Sequence, residues 1–320
     1  MNSIKWLLKR EFWENKGGFF WAPIVAGGIF TLLNIMALAV TSAAADRNHI
    51  KIGLVKLDGV IKNMPPEAQE HLAAGIDLTL MMITSMVGIV TAVVVFFYCL
   101  GALYDDRRDR SVLFWKSLPI SDRDTVLSKV ASALVVAPLI GMAAGMVTAL
   151  LTLLVIGVFF AFNGQNFFGI LFGNASPLRA MFMLLASLPV AALWALPSVG
   201  WLMLCSAFAR SKPFLWAVGI PVGAGIAVSW FDLMKAVSVP DSWFWQHVVA
   251  RALFSMFPGT WFNGSFEQME DVESPEQLAE LVNLGTVYAS MASPHLWVGV
   301  IVGIAMLFAA TRLRRWRDEG

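Results

Sequence analysis

Charge is what this 320-residue chain has least of. Asp, Glu, Lys and Arg make up 14% of it, against about 25% in an ordinary soluble domain. The scarcity is uneven: no charged residue falls in 17–45, 78–104, 130–178, 180–209, 213–231 or 281–311. Hydrophobic residues reach 58% and the mean hydropathy is +0.69, so an ordinary soluble enzyme and a disordered chain both fit poorly. With two cysteines a disulfide scaffold is excluded as well. Cys99 and Cys205 fall inside apolar runs and read as small buried hydrophobes.

Several chemical signatures are missing too. There is no G-x-x-x-x-G-K-[ST] phosphate loop, so the chain is not expected to hydrolyse ATP itself. No G-x-S-x-G, H-E-x-x-H or C-x-x-C occurs, which removes the common nucleophile, zinc and redox motifs. The four histidines, His49, His71, His247 and His295, have no ligand-like helical spacing and read as interfacial side chains. No metal or cofactor is expected in this chain.

What is present is a series of apolar runs, each long enough to cross a bilayer, which takes about 20 residues as a helix. The 49-residue run 130–178 breaks near Asn163-Gly164-Gln165-Asn166. Six spans follow: 18–44, 77–104, 130–162, 178–209, 213–231 and 293–312. Val87 to Leu100 is continuously apolar rather than alternating, which favours helices over outer-membrane strands. The first run is far longer than a signal-peptide core and reads as an uncleaved span. No ionisable residue lies in the middle of a span. Ion-coupled carriers usually place such groups there, so a secondary transporter is disfavoured. Gly141/Gly145, Gly219/Gly223 and Gly299/Gly303 suggest close helix–helix approach, and Pro138, Pro189, Pro197 and Pro221 suggest local departures from a straight helix.

The basic residues orient the spans. With a cytoplasmic N-terminus, 16 of the 23 Lys and Arg fall on the cytoplasmic side, as the positive-inside rule requires. The two faces then carry +7 and −6, so the total of +1 conceals a strong asymmetry. Outside the spans, 1–17 reads as an interfacial helix with Ile4, Leu7, Leu8 and Phe12 on one face, Trp6 and Trp13 at the headgroup level, and Glu11 close to the apolar stripe. In the first outer segment, a short strand is expected around Ile50 to Val60 and a helix from Glu67 into the second span. The outer segment 232–292 opens with an aromatic stretch, interfacial or re-entrant. It closes with a helix from Pro275 to about Met291, for which Ser274-Pro275-Glu276-Gln277 is a good start.

The cytoplasmic loop 105–129 is the most distinctive part. It begins Asp105-Asp106-Arg107-Arg108-Asp109-Arg110 and continues Ser111-Val112-Leu113-Phe114-Trp115-Lys116-Ser117-Leu118-Pro119-Ile120-Ser121. A short amphipathic helix ends at Pro119, and the Ser121-x-x-Asp124 pattern caps the next helix. From the residues alone, two readings stay open: a surface on which a partner docks, or a basic loop that sets topology and binds anionic lipid.

This loop resembles the coupling region of ABC-2-type transporter permeases, the type V fold. The family pattern has an acidic residue, basic residues, Gly-Thr, a leucine-rich helix, Leu-x-Pro-[Val/Ile]-Ser and a Lys before the third span. The matching positions are Asp106, Arg107, Ser111, Leu113, Leu118, Pro119, Ile120, Ser121 and Lys129. Asp106 stands in place of the usual Glu, Arg110 where Gly is common, and Ser111 in place of Thr. The resemblance extends in outline over the whole chain as one transmembrane domain: an all-α, six-span membrane protein with an N-terminal interfacial helix and an outer helical segment between spans five and six. It implies a permease subunit with no catalytic residues of its own, in a bacterial inner membrane with both termini cytoplasmic. Two separate ATPase subunits would bind ATP and Mg, and a second permease subunit, identical or different, would complete the complex. Membrane lipid would surround it, and no nucleic acid is involved. The ATPase-coupling residues implied are Asp106, Arg107, Arg108, Ser111, Leu113, Trp115, Leu118, Pro119, Ser121 and Lys129. Export of a hydrophobic or amphipathic substrate is expected. A non-transporting, energy-transducing subunit and a membrane-embedded lipid-modifying enzyme are the alternatives.

Overall fold

The structure, a computed structural model, describes residues 3–47, 65–109, 121–165, 167–168, 177–233, 241–260 and 284–316. Among these the regular structure is entirely helical: α1 Ser3–Glu14, α2 Ala22–Arg47, α3 Pro66–Ala102, α4 Tyr104–Arg108, α5 Asp122–Ala131, α6 Ala137–Phe162, α7 Pro177–Phe208, α8 Pro213–Leu233, α9 Asp241–Phe244, α10 Ala250–Phe254, α11 Leu284–Ala289 and α12 Pro294–Trp316. Six helices are long and apolar enough to cross a membrane. The protein is a multi-pass α-helical membrane protein.

All six expected spans are found, and the second, third and sixth helices extend beyond their apolar runs. The helix expected from Glu67 is continuous with the second span, because nothing between Glu67 and Ala102 breaks the i to i+4 ladder. Likewise α5 runs through a π turn into α6 as one 41-residue helix from Asp122 to Phe162. Its start is the expected cap: Ser121 is extended and its Oγ accepts from Asp124 N at 3.1 Å. The strand expected near Ile50 to Val60 and the coupling helix Ser111 to Leu118 lie outside the described residues. Of the helix expected over Pro275 to Met291, residues 284–292 are described. They form α11 and a 3₁₀ turn at Ser290–Ala292.

Three π turns interrupt the long helices, at Gly17–Trp21, Ser132–Val136 and Trp245–Val249. The first two share a cause legible in the sequence. Each is followed at the same offset by a proline, Pro23 or Pro138. A proline has no N–H to donate and its ring crowds the preceding turn, and the wider turn relieves that crowding.

Helix α7 is the central element. It packs along α12 and α3, while α6 packs against α3 and α2. The backbones of α7 and α12 come close: a Cβ on Gly200 would lie 2.6 Å from Gly303 O, and one on Gly303 would lie 2.7 Å from Leu196 O. Gly145 plays the same part between α6 and α3, where a Cβ would fall 2.8 Å from Thr84 Cγ2. The expectation of close approach thus holds for Gly141/Gly145 and Gly299/Gly303. At Gly219 and Gly223 a Cβ would meet nothing within 4 Å. Those two positions lie on a face of α8 that has no neighbour among the described residues.

The end of the bundle that carries α1 and the last turn of α12 is called the near end below. A compact apolar layer lies just inside it, with Phe19, Cys99, Leu103, Leu202, Met203 and Cys205 almost fully buried. Both cysteines are free thiols in this layer, as their apolar contexts indicate. From the far end, residues 241–260 reach into the bundle. Ser198, buried within α7, donates its Oγ to Arg251 O at 2.7 Å and accepts from Ser255 N at 3.0 Å. Ser198 lies about 30 Å from the start of α7 at ~1.5 Å per residue, so the segment penetrates deeply rather than resting across the helix ends.

Candidate functional site

The near end is organised around a buried ionic cluster drawn from four separate parts of the chain. Glu11 sits on α1, Asp106 on α4, Asp122 and Lys129 on α5, and Arg314 on the last turn of α12. Glu11 is fully buried, Lys129 3% exposed and Arg314 4% exposed. Lys129 Nζ lies 3.2 Å from Glu11 Oε1 and 3.5 Å from Asp106 Oδ2. The opposite oxygen of Glu11 accepts from Tyr98 Oη at 2.8 Å, and Arg10 Nη2 donates to Oε1 at 2.6 Å. Arg314 Nη1 lies 2.9 Å from Asp106 Oδ2, and its Nε 3.3 Å from Asp122 Oδ1. Arg10 also reaches out to Glu14, its Nε 3.4 Å from Glu14 Oε1. This pairing is what makes burial tolerable, because an unpaired charge in this position costs several kcal/mol, of order 3–5 when one partner is removed.

Local sequence explains how each group arrives. Glu11 is on the same helical face as Leu7, which is also buried, so it points with the apolar stripe of α1 into α5. The break at Leu103 between α3 and α4 brings Asp106 round under the bundle. A single side chain holds that break: Ser206 Oγ accepts from Leu103 N at 3.0 Å and Tyr104 N at 2.9 Å, and donates to Leu100 O at 2.7 Å. Arg107 ties the same turn to the end of α7, donating Nη2 to Ser206 O at 2.7 Å and Ala209 O at 3.0 Å. Arg108 faces outward, beside Asp109 at 3.2 Å and Asp105 at 3.9 Å.

The residues expected from the sequence therefore divide. The structure brings Asp106 and Lys129 together, places Arg107 as the tie to α7, leaves Arg108 exposed and makes Ser121 a helix cap. Ser111, Leu113, Trp115, Leu118 and Pro119 lie outside the described residues. Lys129 lies within α5, three residues before the π turn, as part of the buried cluster. Sequence reading missed Glu11, Tyr98, Asp122, Ser206 and Arg314 as members. The one available signal was Glu11 itself, a carboxylate beside the apolar stripe of an amphipathic helix.

Beside the cluster lies a hollow of about 620 Å³. Its polar lining is mostly acidic: Glu11, Glu14, Asp105, Asp106 and Asp109, against Lys129. Glu14, on its rim, has its carboxyl pushed above the ordinary range by burial, an effect that Arg10 partly opposes. The arrangement offers negative charge outward while its floor is locked by internal pairing.

At the far end, His247 and His295 meet with ring centroids 5.1 Å apart, although 48 residues of sequence separate them. His247 Nδ1 is 3.0 Å from Trp243 O. Arg251 donates Nη1 to His295 O at 2.6 Å and lies over the Trp194 ring at 4.6 Å. Burial lowers its pKa below the ordinary value. Among the described residues no group of three His, Cys, Asp or Glu is placed to hold a metal ion. No protein-family model matches this chain, and no curated protein or solved structure matches it either.

Proposed function

We propose that this chain is the membrane-spanning permease subunit of an ATP-driven ABC transporter of the ABC-2 type, with ATP bound and hydrolysed by separate ATPase subunits. One observation carries the reading: the buried ionic cluster ties α1, the turn that leads into the loop 105–129, the start of the third span and the end of the sixth. A push on that loop is transmitted to all four at once. Such a linkage suits a device that converts docking of a partner into rearrangement of spans, because coupling needs rigid elements with contacts that differ between states. The acidic hollow adds a surface complementary to basic side chains of a partner.

In this reading both termini and the cluster are cytoplasmic, in a bacterial inner membrane. Two copies of the ATPase engage two permease subunits, and the segment 111–118 is the part that enters the ATPase. Closure on ATP displaces that segment, the cluster carries the displacement to the spans, and a hydrophobic or amphipathic substrate is moved outward. A lipid-modifying enzyme is disfavoured by the same cluster, whose carboxylates and cations are spent on one another. An energy-transducing subunit that drives outer partners is the second reading. It is favoured by the depth of residues 241–260, which join the far end mechanically to Ser198.

The test is purification of the intact complex in mild detergent, with its partners identified by mass spectrometry. A phosphate-loop ATPase is expected, and Trp115→Asp and Leu118→Asp are expected to release it and abolish transport. Absence of any such ATPase, or unimpaired transport in both variants, overturns the reading. A nucleotide-bound complex with no central path favours the second.

A further inference from the structure

Between α3, α6 and α7 lies a cavity of about 510 Å³, lined also by Met256 and Pro258 from the inserted segment. Its lining on α3 extends from Leu78 to Val95, about 25 Å of helix at ~1.5 Å per residue. Spread over that length, the volume makes a long, narrow slot, the shape of one extended hydrocarbon chain.

The walls are apolar and soft. Met82, Met86 and Met142 face the space, and methionine adapts its shape to irregular apolar ligands. Three of the four lining hydroxyls donate within their own helix: Thr84 to Leu80 O at 2.9 Å, Thr91 to Val87 O at 3.0 Å and Ser187 to Leu184 O at 2.8 Å; the fourth is Ser85. A buried water needs about two to four polar partners, which these walls do not supply. At the lateral mouth, Met82, Met86 and Ile89 are 61%, 46% and 47% exposed. The inner end is sealed by Val95, Ala133 and Val199.

The geometry points to a binding site for a single acyl chain of a membrane phospholipid, entering sideways past Met82 and Met86. The site is separate from the ionic cluster and does not depend on the transport reading, since it would hold a chain whether or not that chain is cargo. Its inner end nonetheless shares helices with the cluster: Val95 lies one turn from Tyr98, and Ala133 one turn from Lys129. Ala133 and Leu134 belong to the π turn at Ser132–Val136, a distortion that often marks functional positions in helices.

The experiment uses the full chain in phosphatidylcholine vesicles doped with a phospholipid that carries a diazirine in mid-acyl chain. After irradiation, adducts are mapped by peptide mass spectrometry. Adducts at Met82, Met86 and Met142 are expected to saturate as the probe fraction rises, whereas those on the exposed stretch Leu32 to Val40 of α2 rise in proportion. Ala192→Trp, which fills the cavity from α7, and Ser85→Phe, which narrows it from α3, are expected to reduce cavity labelling to the level found on α2. Proportional, non-saturating labelling in the wild type overturns the site. So does unchanged labelling in whichever of the two variants keeps the wild-type elution profile and melting temperature.

Discussion

Lys129 Nζ lies 3.2 Å from Glu11 Oε1 across a sequence separation of 118 residues, with both side chains almost wholly buried. The pair ties α1 to α5. Glu11→Leu and Lys129→Met are each expected to destabilise the protein, by less than the roughly 3–5 kcal/mol of a fully stranded buried charge, because Lys129 keeps Asp106 and Glu11 keeps Arg10 and Tyr98. The double variant is expected to lose clearly less than the sum of the two. Melting of the three variants in detergent checks this, and strict additivity would show that the two charges are not coupled.

The break between α3 and α4 hangs on Ser206. Ser206→Ala leaves Leu103 N and Tyr104 N without their acceptor, at a cost of about 1–3 kcal/mol for a buried unsatisfied donor. The same change is expected to loosen Asp106. Hydrogen exchange should rise at Leu103 to Arg108 before it rises in the spans, and unchanged exchange there counts against Ser206 as the holder of the turn.

Gly303 permits the backbones of α7 and α12 to approach. Gly303→Val places a branched side chain against Leu196 O, a backbone atom that cannot rotate away. Overpacking of this kind costs about 1–3 kcal/mol or more, whereas Gly223→Val, with nothing within 4 Å, is expected to be near neutral. Comparing the melting temperatures of the two variants separates a packing contact from a glycine at an open helix face.

Ser198→Ala removes both hydrogen bonds that hold the inserted segment at Arg251 and Ser255. A cysteine introduced at Thr260 is then expected to react faster with a water-soluble maleimide than it does in the parent. Equal rates would show that packing alone holds the segment.

Glu14 supplies a pH dependence whose sign follows from its burial. Its folded pKa lies above the ordinary carboxylate value, so the folded state holds the proton more tightly than the unfolded one. The stability this contributes is present below the unfolded pKa and is lost as pH rises through the folded value. Glu14→Gln, which mimics the protonated carboxyl, is expected to match the wild-type melting temperature below the window between these two values and to lack the wild type's fall as pH rises through it. An identical pH profile in the variant would dissociate Glu14 from the effect.

Much of the fold was legible because it is written in neighbouring residues. Length and apolarity alone set the six spans: each run exceeds what a bilayer requires, and only a helix satisfies the backbone of such a run in lipid. The cap at Ser121 and the break before Pro138 are equally local, since each depends on residues within a turn. The candidate site was legible only in part. Asp106, Arg107 and Lys129 stood out in the loop pattern, but their partners could not, because a charge near a span end reads the same whether it is solvated or paired. Only the tertiary structure brought Glu11, Tyr98, Asp122 and Arg314 onto them, joined His247 to His295 across 48 residues, and assigned Gly200 and Gly303 rather than Gly219 and Gly223 to a helix contact. Composition fixes what must leave water. Which buried groups then meet depends on how the helices pack, and that depends on contacts between residues far apart in the chain.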